Sequence, residues 1–290
     1  MNRHRNLSIL IPTGAALAIL LAAGVLAAGA SSAAPGVPGL HDSSAPRGQA
    51  VGLDLNVFLD KVDAKIGGFQ EARNWRGSVT STITKMDRHW TAESVTVVTK
   101  AVTVTDGRRS EEILQALETK DGKTQDITKE FIETDRKEHE KYRRQRPPDK
   151  PRPAGTAPRR RGLNGSIEDF TPFSEVRRKL FEFRLNENAS LDGRPALALD
   201  IKAKVKSDKN WEGRIYFEPG TLDPLLAEAR PSETPRFVKE LEARIALEVV
   251  DGTTLMLKST WIKVNAGFLF IKRVRQIQED VYSGVELLAP

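Results

Sequence analysis

Two periodicities divide the chain. Leu55, Phe58, Leu59, Val62 and Ile66 recur at three- and four-residue steps, the spacing of a short amphipathic helix that Gly67-Gly68 ends. From Trp75 onward the period is two. Ser78 to Lys85 and Ser94 to Val104 are rich in Thr and Val and predict strands, and Thr105-Asp106-Gly107 follows as a turn. Glu111 to Leu117 fits a helix by its charge spacing and a strand by the Asp121-Gly122 hairpin signal after it, and leans to strand. Ile127 to Gln145, strongly charged and free of Gly and Pro, predicts a solvated helix.

The second half alternates most cleanly. Phe181, Phe183 and Leu185 alternate with Glu182 and Arg184, and Asp192-Gly193 turns the chain. Leu197, Leu199, Ile201, Ala203 and Val205 then alternate with charged residues. Trp211, Gly213, Ile215 and Phe217 do the same, as do Leu241, Ala243, Ile245, Leu247 and Val249. Asp251-Gly252 is a further turn, and Leu255 to Val264 and Phe268 to Val281 return. Such alternation means one dry face and one wet face, the mark of an antiparallel sheet. A twisted sheet with one apolar face must close on itself or be covered, and the few helices are the available cover. The expected class is α+β, mainly β: a strongly curved antiparallel sheet, an unclosed barrel, with helices as a lid.

The 290-residue chain is long enough for a substantial core, and its 39% hydrophobic and 29% charged residues suit a soluble globular protein. Its net charge of +6 is unevenly spread. Residues 136–161 hold eleven Lys or Arg against three Asp or Glu, a net +8. Arg3 and Arg5 are the only charges before residue 40, so the remainder is mildly acidic at −4. A basic leader, the Ala- and Leu-rich stretch Ala15 to Ala28, and small residues to Ala33 have the order of a secretory signal peptide. Cleavage is expected after Ala30 or Ala33; the alternative is an uncleaved anchor, for which Pro12 and the glycines are ill suited. Expected domains are a signal peptide over 1–33, a tether over 34–52, and one domain over 53–290. That domain carries a basic, Pro-rich insertion at about 146–165. The absence of cysteine excludes disulfides, thiolate metal sites and a lipidated N-terminus. The expected location is therefore the periplasm or another exported compartment.

Several motifs resemble those of the LolA/LolB-like periplasmic lipoprotein carriers and their outer-membrane lipoprotein-sorting relatives. They are the first helix ending at Phe69 before Trp75-Arg76-Gly77, and the hairpin sequences Asp192-Gly193-Arg194-Pro195-Ala196 and Trp211-Glu212-Gly213-Arg214-Ile215-Tyr216-Phe217. Leu222-Asp223-Pro224-Leu225, Val250-Asp251-Gly252 and Gly267-Phe268-Leu269-Phe270-Ile271-Lys272-Arg273 belong with them. The likeness covers about residues 53 to 285, without the insertion. It implies an unclosed antiparallel barrel with a helical lid and an acyl chain as cargo in the cavity between. The chain departs from the family in its length and its charged insertion.

Catalytic patterns are sparse. His4, His41, His89 and His139 are dispersed, so they assemble neither a metal cluster nor a triad, and no phosphate loop or nucleophile elbow occurs. Adjacent carboxylates such as Glu111/Glu112 and Glu168/Asp169 point to opposite faces of a strand and read as solvated charges. No cofactor, metal or catalytic residue is expected. The candidate cavity lining is Leu55, Phe58, Leu59 and Val62 of the helix, Trp75, and the strand residues Phe181, Phe183, Trp211, Ile215 and Phe217. Leu241, Ile245, Leu247, Leu257, Trp261, Phe268 and Phe270 complete it. These residues either fill a compact core or line a cavity for an acyl chain. Arg143, Arg144, Arg146, Arg159, Arg160 and Arg161 are either a solvated loop or a site for an anionic partner such as an envelope membrane. Nucleic acid is not an expected partner. The reading is an exported, non-enzymatic carrier or sensor of a lipid or lipoprotein acyl chain. The alternative is an interaction or regulatory module with a filled core that uses the basic insertion.

Overall fold

The computed structural model describes residues 53–145, 172–235, 237–268 and 272–288. The expected signal peptide, tether, Pro-rich insertion and Phe270 lie outside them.

Helix α1 (Leu55–Gly68) starts on Asp54, whose Oδ1 accepts the backbone N–H of Asn56 at 2.8 Å and of Val57 at 3.1 Å. Two of the donors that every helix start leaves open are thereby satisfied. The chain continues through β1 (Gln70–Glu71), β2 (Trp75–Met86), β3 (Ala92–Thr105), β4 (Arg108–Lys120), β5 (Lys123–Asp126) and helix α2 (Thr128–Gln145). The ambiguous stretch Glu111 to Leu117 is strand, inside β4. Helix α3 (Glu175–Arg178) precedes β6 (Phe181–Leu191), β7 (Arg194–Ala203), β8 (Trp211–Phe217), β9 (Pro224–Pro231), β10 (Val238–Val250), β11 (Thr254–Phe268) and β12 (Lys272–Leu287). Strand β9 has no counterpart in the sequence reading. It is short, Ala-rich and bounded by Pro224 and Pro231, which a strand tolerates at its ends.

Among the described residues the strands form one sheet, β5-β4-β3-β2-β12-β11-β10-β9-β8-β7-β6, with β1 added in parallel to β11. Every other pairing is antiparallel, and among the described residues β5 and β6 are unpaired edges and the sheet is not closed into a barrel. Strands from either side of the insertion are joined where β12 pairs with β2. The hairpin loops Asp106-Gly107, Asp121-Gly122 and Asp192-Gly193 have positive φ at both residues, the type I′ geometry that matches strand twist.

Residues from α1 and from β2, β3 and β6 to β12 bury one common core. A second, smaller cluster sets Phe131 of α2 on Val98 and Ala116 of β3 and β4. Thr128 fastens this helix to the sheet. Its Oγ1 accepts the N–H of Ala116 at 2.9 Å and donates to Asp126 Oδ1 at 2.6 Å. Register shifts bend the long strands, at Leu114 between Thr99 and Lys100 and at the Ser283/Glu286 step of β12. Such bulges add twist and let a wide sheet curl over its helices.

At Gly213 strands β8 and β9 approach closely. A Cβ there would lie 1.8 Å from Glu228 O and 3.0 Å from Ala229 Cα of β9. Only glycine permits β8 and β9 to pack this tightly. Gly213→Ala should therefore lower stability by about 1–3 kcal/mol, the usual cost of overpacking, read as a shift in urea midpoint. Gly220→Ala, with nothing within 4 Å of its Cβ, should leave the midpoint unchanged.

Candidate functional site

Cross-strand register defines the core face row by row. One row runs Ala116, Val98, Ser81, Asp280, Thr260, Ile245, Ala227, Ile215, Leu199 and Leu185 from β4 to β6. The β10-to-β6 half is apolar, and Ile245 and Leu199 are fully buried. Helix α1 covers this half. Phe58 packs edge to face on Phe217 with ring centroids 5.6 Å apart, and Phe58, Leu59 and Val62 are at most 2% exposed. At the other end Phe131 of α2 meets Val98 and Ala116.

The middle of the face is polar. Ser81, Thr260, Gln276, Gln278 and Asp280 of β2, β11 and β12 are all buried. Gln278 Nε2 donates to both Asp280 oxygens at 3.1 and 3.2 Å, and Thr260 Oγ1 donates to Oδ2 at 3.3 Å.

A second polar group stands toward the start of β4. Lys100 Nζ and Arg109 Nε each donate to Glu111, at 2.8 and 2.7 Å, and Arg109 Nη1 lies 3.4 Å from the Tyr282 hydroxyl. The Arg109 guanidinium also sits over the Tyr282 ring, 5.8 Å from its centroid. Burial alone would raise the Glu111 carboxyl, but Arg109 and Lys100 outweigh it and hold it below the ordinary glutamate value. Burial pushes the Tyr282 phenol up, with Asp280 adding to the effect and Arg109 opposing it. Glu111 is therefore not the freely solvated charge expected of it. Its side chain is 25% exposed and doubly ion-paired, because Lys100, Arg109 and Glu111 share the core side of β3 and β4.

Most of the expected lining residues converge on the core face. Phe58, Leu59, Val62, Trp75, Phe181, Trp211, Ile215, Phe217, Leu241, Ile245, Leu247 and Leu257 are buried in the main core, and Leu55 and Phe183 are partly buried against it. Trp261 is a correction. Lys258 is an extra residue in β11 between Leu257, opposite Leu247, and Ser259, opposite Ala246. Because facing alternates strictly along a strand, that insertion reverses it. Ile262 and Val264 turn inward in its place.

Trp261 instead joins a row on the outer face, where Arg184, Asp200, Arg214, Glu228, Arg244, Trp261 and Glu279 follow one another across seven strands. Arg214 binds Asp200 through two hydrogen bonds of 2.6 and 3.1 Å, Arg244 Nε lies 3.2 Å from Glu228, and the Arg244 guanidinium covers the Trp261 ring at 5.1 Å. Phe268 ends β11 opposite Lys272. Arg143 and Arg144 belong to the last turn of α2, while Arg146, Arg159, Arg160 and Arg161 lie outside the described residues.

Apart from Glu111, the polar residues of both groups were missed in the sequence. Gln276, Gln278 and Asp280 do alternate along β12, but an alternating run of polar residues reads as the wet face when the neighbouring strands are unknown. Among the described residues, no group of three or more His, Asp or Glu is placed to hold a metal, and no helix is long and apolar enough to cross a membrane.

No protein-family model and no curated protein matches the sequence. Solved structures to which this chain is similar include proteins described as LolA superfamily and outer membrane lipoprotein-sorting. A LolA superfamily protein from Nitrosomonas europaea is 13% identical over 82% of this chain and 96% of its own, with a TM-score of 0.33. A domain from Vibrio parahaemolyticus described as outer membrane lipoprotein-sorting is 7% identical over 80% of this chain and 92% of its own, with a TM-score of 0.34. A chain of the Pseudomonas aeruginosa MucA/MucB complex is 11% identical over 81% of this chain and 99% of its own, with a TM-score of 0.23.

The lowered Glu111 carboxyl sets a pH dependence. Its stabilising contribution is complete above the ordinary glutamate range and is lost as the pH falls through the lowered value. Glu111→Gln should cost about 1 kcal/mol at neutral pH, the modest sum expected of partly exposed pairs. Urea midpoints measured from pH 7 downward should show the gap between native protein and variant closing in acid. A gap of constant size would show that Glu111 acts through packing and not through charge.

Proposed function

We propose that this protein is an exported, non-enzymatic carrier or sensor that takes up a lipid or lipoprotein acyl chain between α1 and the apolar half of the core face. The observation that carries this reading is the way α1 is held. It inserts Phe58, Leu59 and Val62 into the face, and among the described residues three polar ties, partly buried, hold it and the residues just before it to the sheet side. They are Lys65 to Asp223 at 2.9 Å, Asp60 to Arg178 at 2.7 Å, and the Leu53 N–H to Glu187 at 2.9 Å. Even so, partly exposed pairs of this kind contribute only modestly.

Exchange of α1 for cargo is energetically feasible. Exposing three buried apolar side chains costs about 2 kcal/mol each, whereas each CH₂ of an entering chain contributes about 0.8 kcal/mol. A chain of about a dozen carbons offsets the loss of the helix contacts. The mechanism is displacement of α1, entry of the chain against Ile215, Phe217 and Ile245, and return of the helix over it or beside it.

The second reading is an interaction module, and it is favoured by the depth at which α1 already fills the face. In that case a partner binds elsewhere, with the basic stretch including Arg143, Arg144 and Arg146 as the site.

Organic extraction and native mass spectrometry of the purified protein should release an acyl-bearing molecule. The chain has no cysteine, so Lys65→Cys with Asp223→Cys supplies a unique pair for a cleavable bismaleimide. Tying α1 down should abolish uptake of a fluorescent fatty acid, and cleaving the tether should restore it. Unchanged uptake with the helix tied, or no acyl binding at all, overturns the carrier reading. Deleting residues 146–161 should leave acyl binding intact; if it removes capture of a protein partner, the second reading holds.

A further inference from the structure

Asp280 presents an unusual combination. It is a carboxylate 7% exposed, at the centre of the core face, and its hydrogen bonds come from neutral donors on Gln278 and Thr260. Among the described residues no Lys or Arg forms an ion pair with it. Arg109, which lies beside Tyr282, is committed to Glu111 and to that phenol. A buried carboxylate is costly unless a cation or a full set of donors meets it. Gln278 spends its NH₂ on Asp280, so its carbonyl oxygen is left as an acceptor, and Thr260 has likewise donated its proton. The patch thus offers oxygen acceptors and one negative charge.

The register places this patch directly beside the apolar half. Thr260 pairs with Ile245, a fully buried core residue, and the row continues through Ala227 and Ile215 beneath the α1 side of the core. A molecule seated along the row has its apolar part under α1 and its polar end at Asp280.

We propose that the patch of Ser81, Thr260, Gln276, Gln278 and Asp280 is a headgroup site for an amphiphile bearing a primary ammonium. Three N–H donors and one positive charge complement three or more oxygen acceptors and one carboxylate, and charge-assisted hydrogen bonds are the strongest available in such a setting. An anionic headgroup is repelled there, and a neutral alcohol supplies one donor and no charge. This inference rests on the acyl-cavity reading and adds to it the class of headgroup.

The test compares four probes of one chain length below their micelle concentrations: dodecylammonium, dodecanol, dodecanoate and dodecyltrimethylammonium. Dodecylammonium should bind about tenfold more tightly than dodecanol. Dodecyltrimethylammonium, with the same charge but no N–H donor, should lose that advantage, which separates the site from general attraction of cations to an acidic surface. Asp280→Asn keeps the side chain's shape and should reduce the preference for ammonium over dodecanol to about twofold or less. Equal binding of all heads, equal binding of the trimethylated probe, or a preference that survives in the variant overturns the headgroup site and leaves the cavity standing. Failure of every dodecyl probe to bind overturns both. The trimethylated comparison is made on the native protein and does not depend on the variant folding.

Discussion

The architecture depends on burying one face of a single wide, open sheet. Eleven strands lie side by side in one path, and their apolar residues cannot be left in water. Among the described residues only α1 and α2 supply substantial helical cover, so the sheet must curl to shield itself. Its irregularities serve that curl. The extra residues in β4, β11 and β12 bend the strands, and Gly213 lets β8 and β9 approach to a distance that no side chain allows. The same curl places Phe58 against Phe217 and makes α1 at once part of the core and its cover.

The outer face solves a different problem. A broad exposed sheet surface of one charge would repel itself, and one without charge would invite association. The alternation of Arg184, Asp200, Arg214, Glu228 and Arg244 along one row gives each charge an opposite neighbour. Each pair adds a modest stabilisation, but the row as a whole supports the register that the inner face requires. Trp261 extends it through its contact with Arg244, which is why a large aromatic is tolerated on that side.

The core face itself is divided in two by polarity. Polar residues of β2, β11 and β12 separate the apolar region under α1 from the smaller one under α2. A buried carboxylate, Asp280, lies at the centre of this polar band. The Lys100, Arg109, Glu111 and Tyr282 group, by contrast, gives its single carboxylate two cationic partners.

Much of this was legible in the sequence, because helix and strand periods are local. The three- and four-residue spacing of Leu55 to Ile66 placed α1, the alternation in β6, β7, β8 and β10 placed the inward residues, and the Asp-Gly pairs placed the turns. Trp211, Ile215, Phe217 and Ile245 followed from that alternation alone, and the repeated strands implied a covered antiparallel sheet. What the tertiary structure decided was anything that depends on a neighbour distant in the chain. A single extra residue at Lys258 reversed the facing of Trp261, since parity along a strand survives only as long as its register does. Asp280, Gln278, Thr260 and Ser81 come from three strands and look like ordinary surface positions until β12 is set between β2 and β11. Local period determines which residues share a face; only strand pairing determines what that face meets.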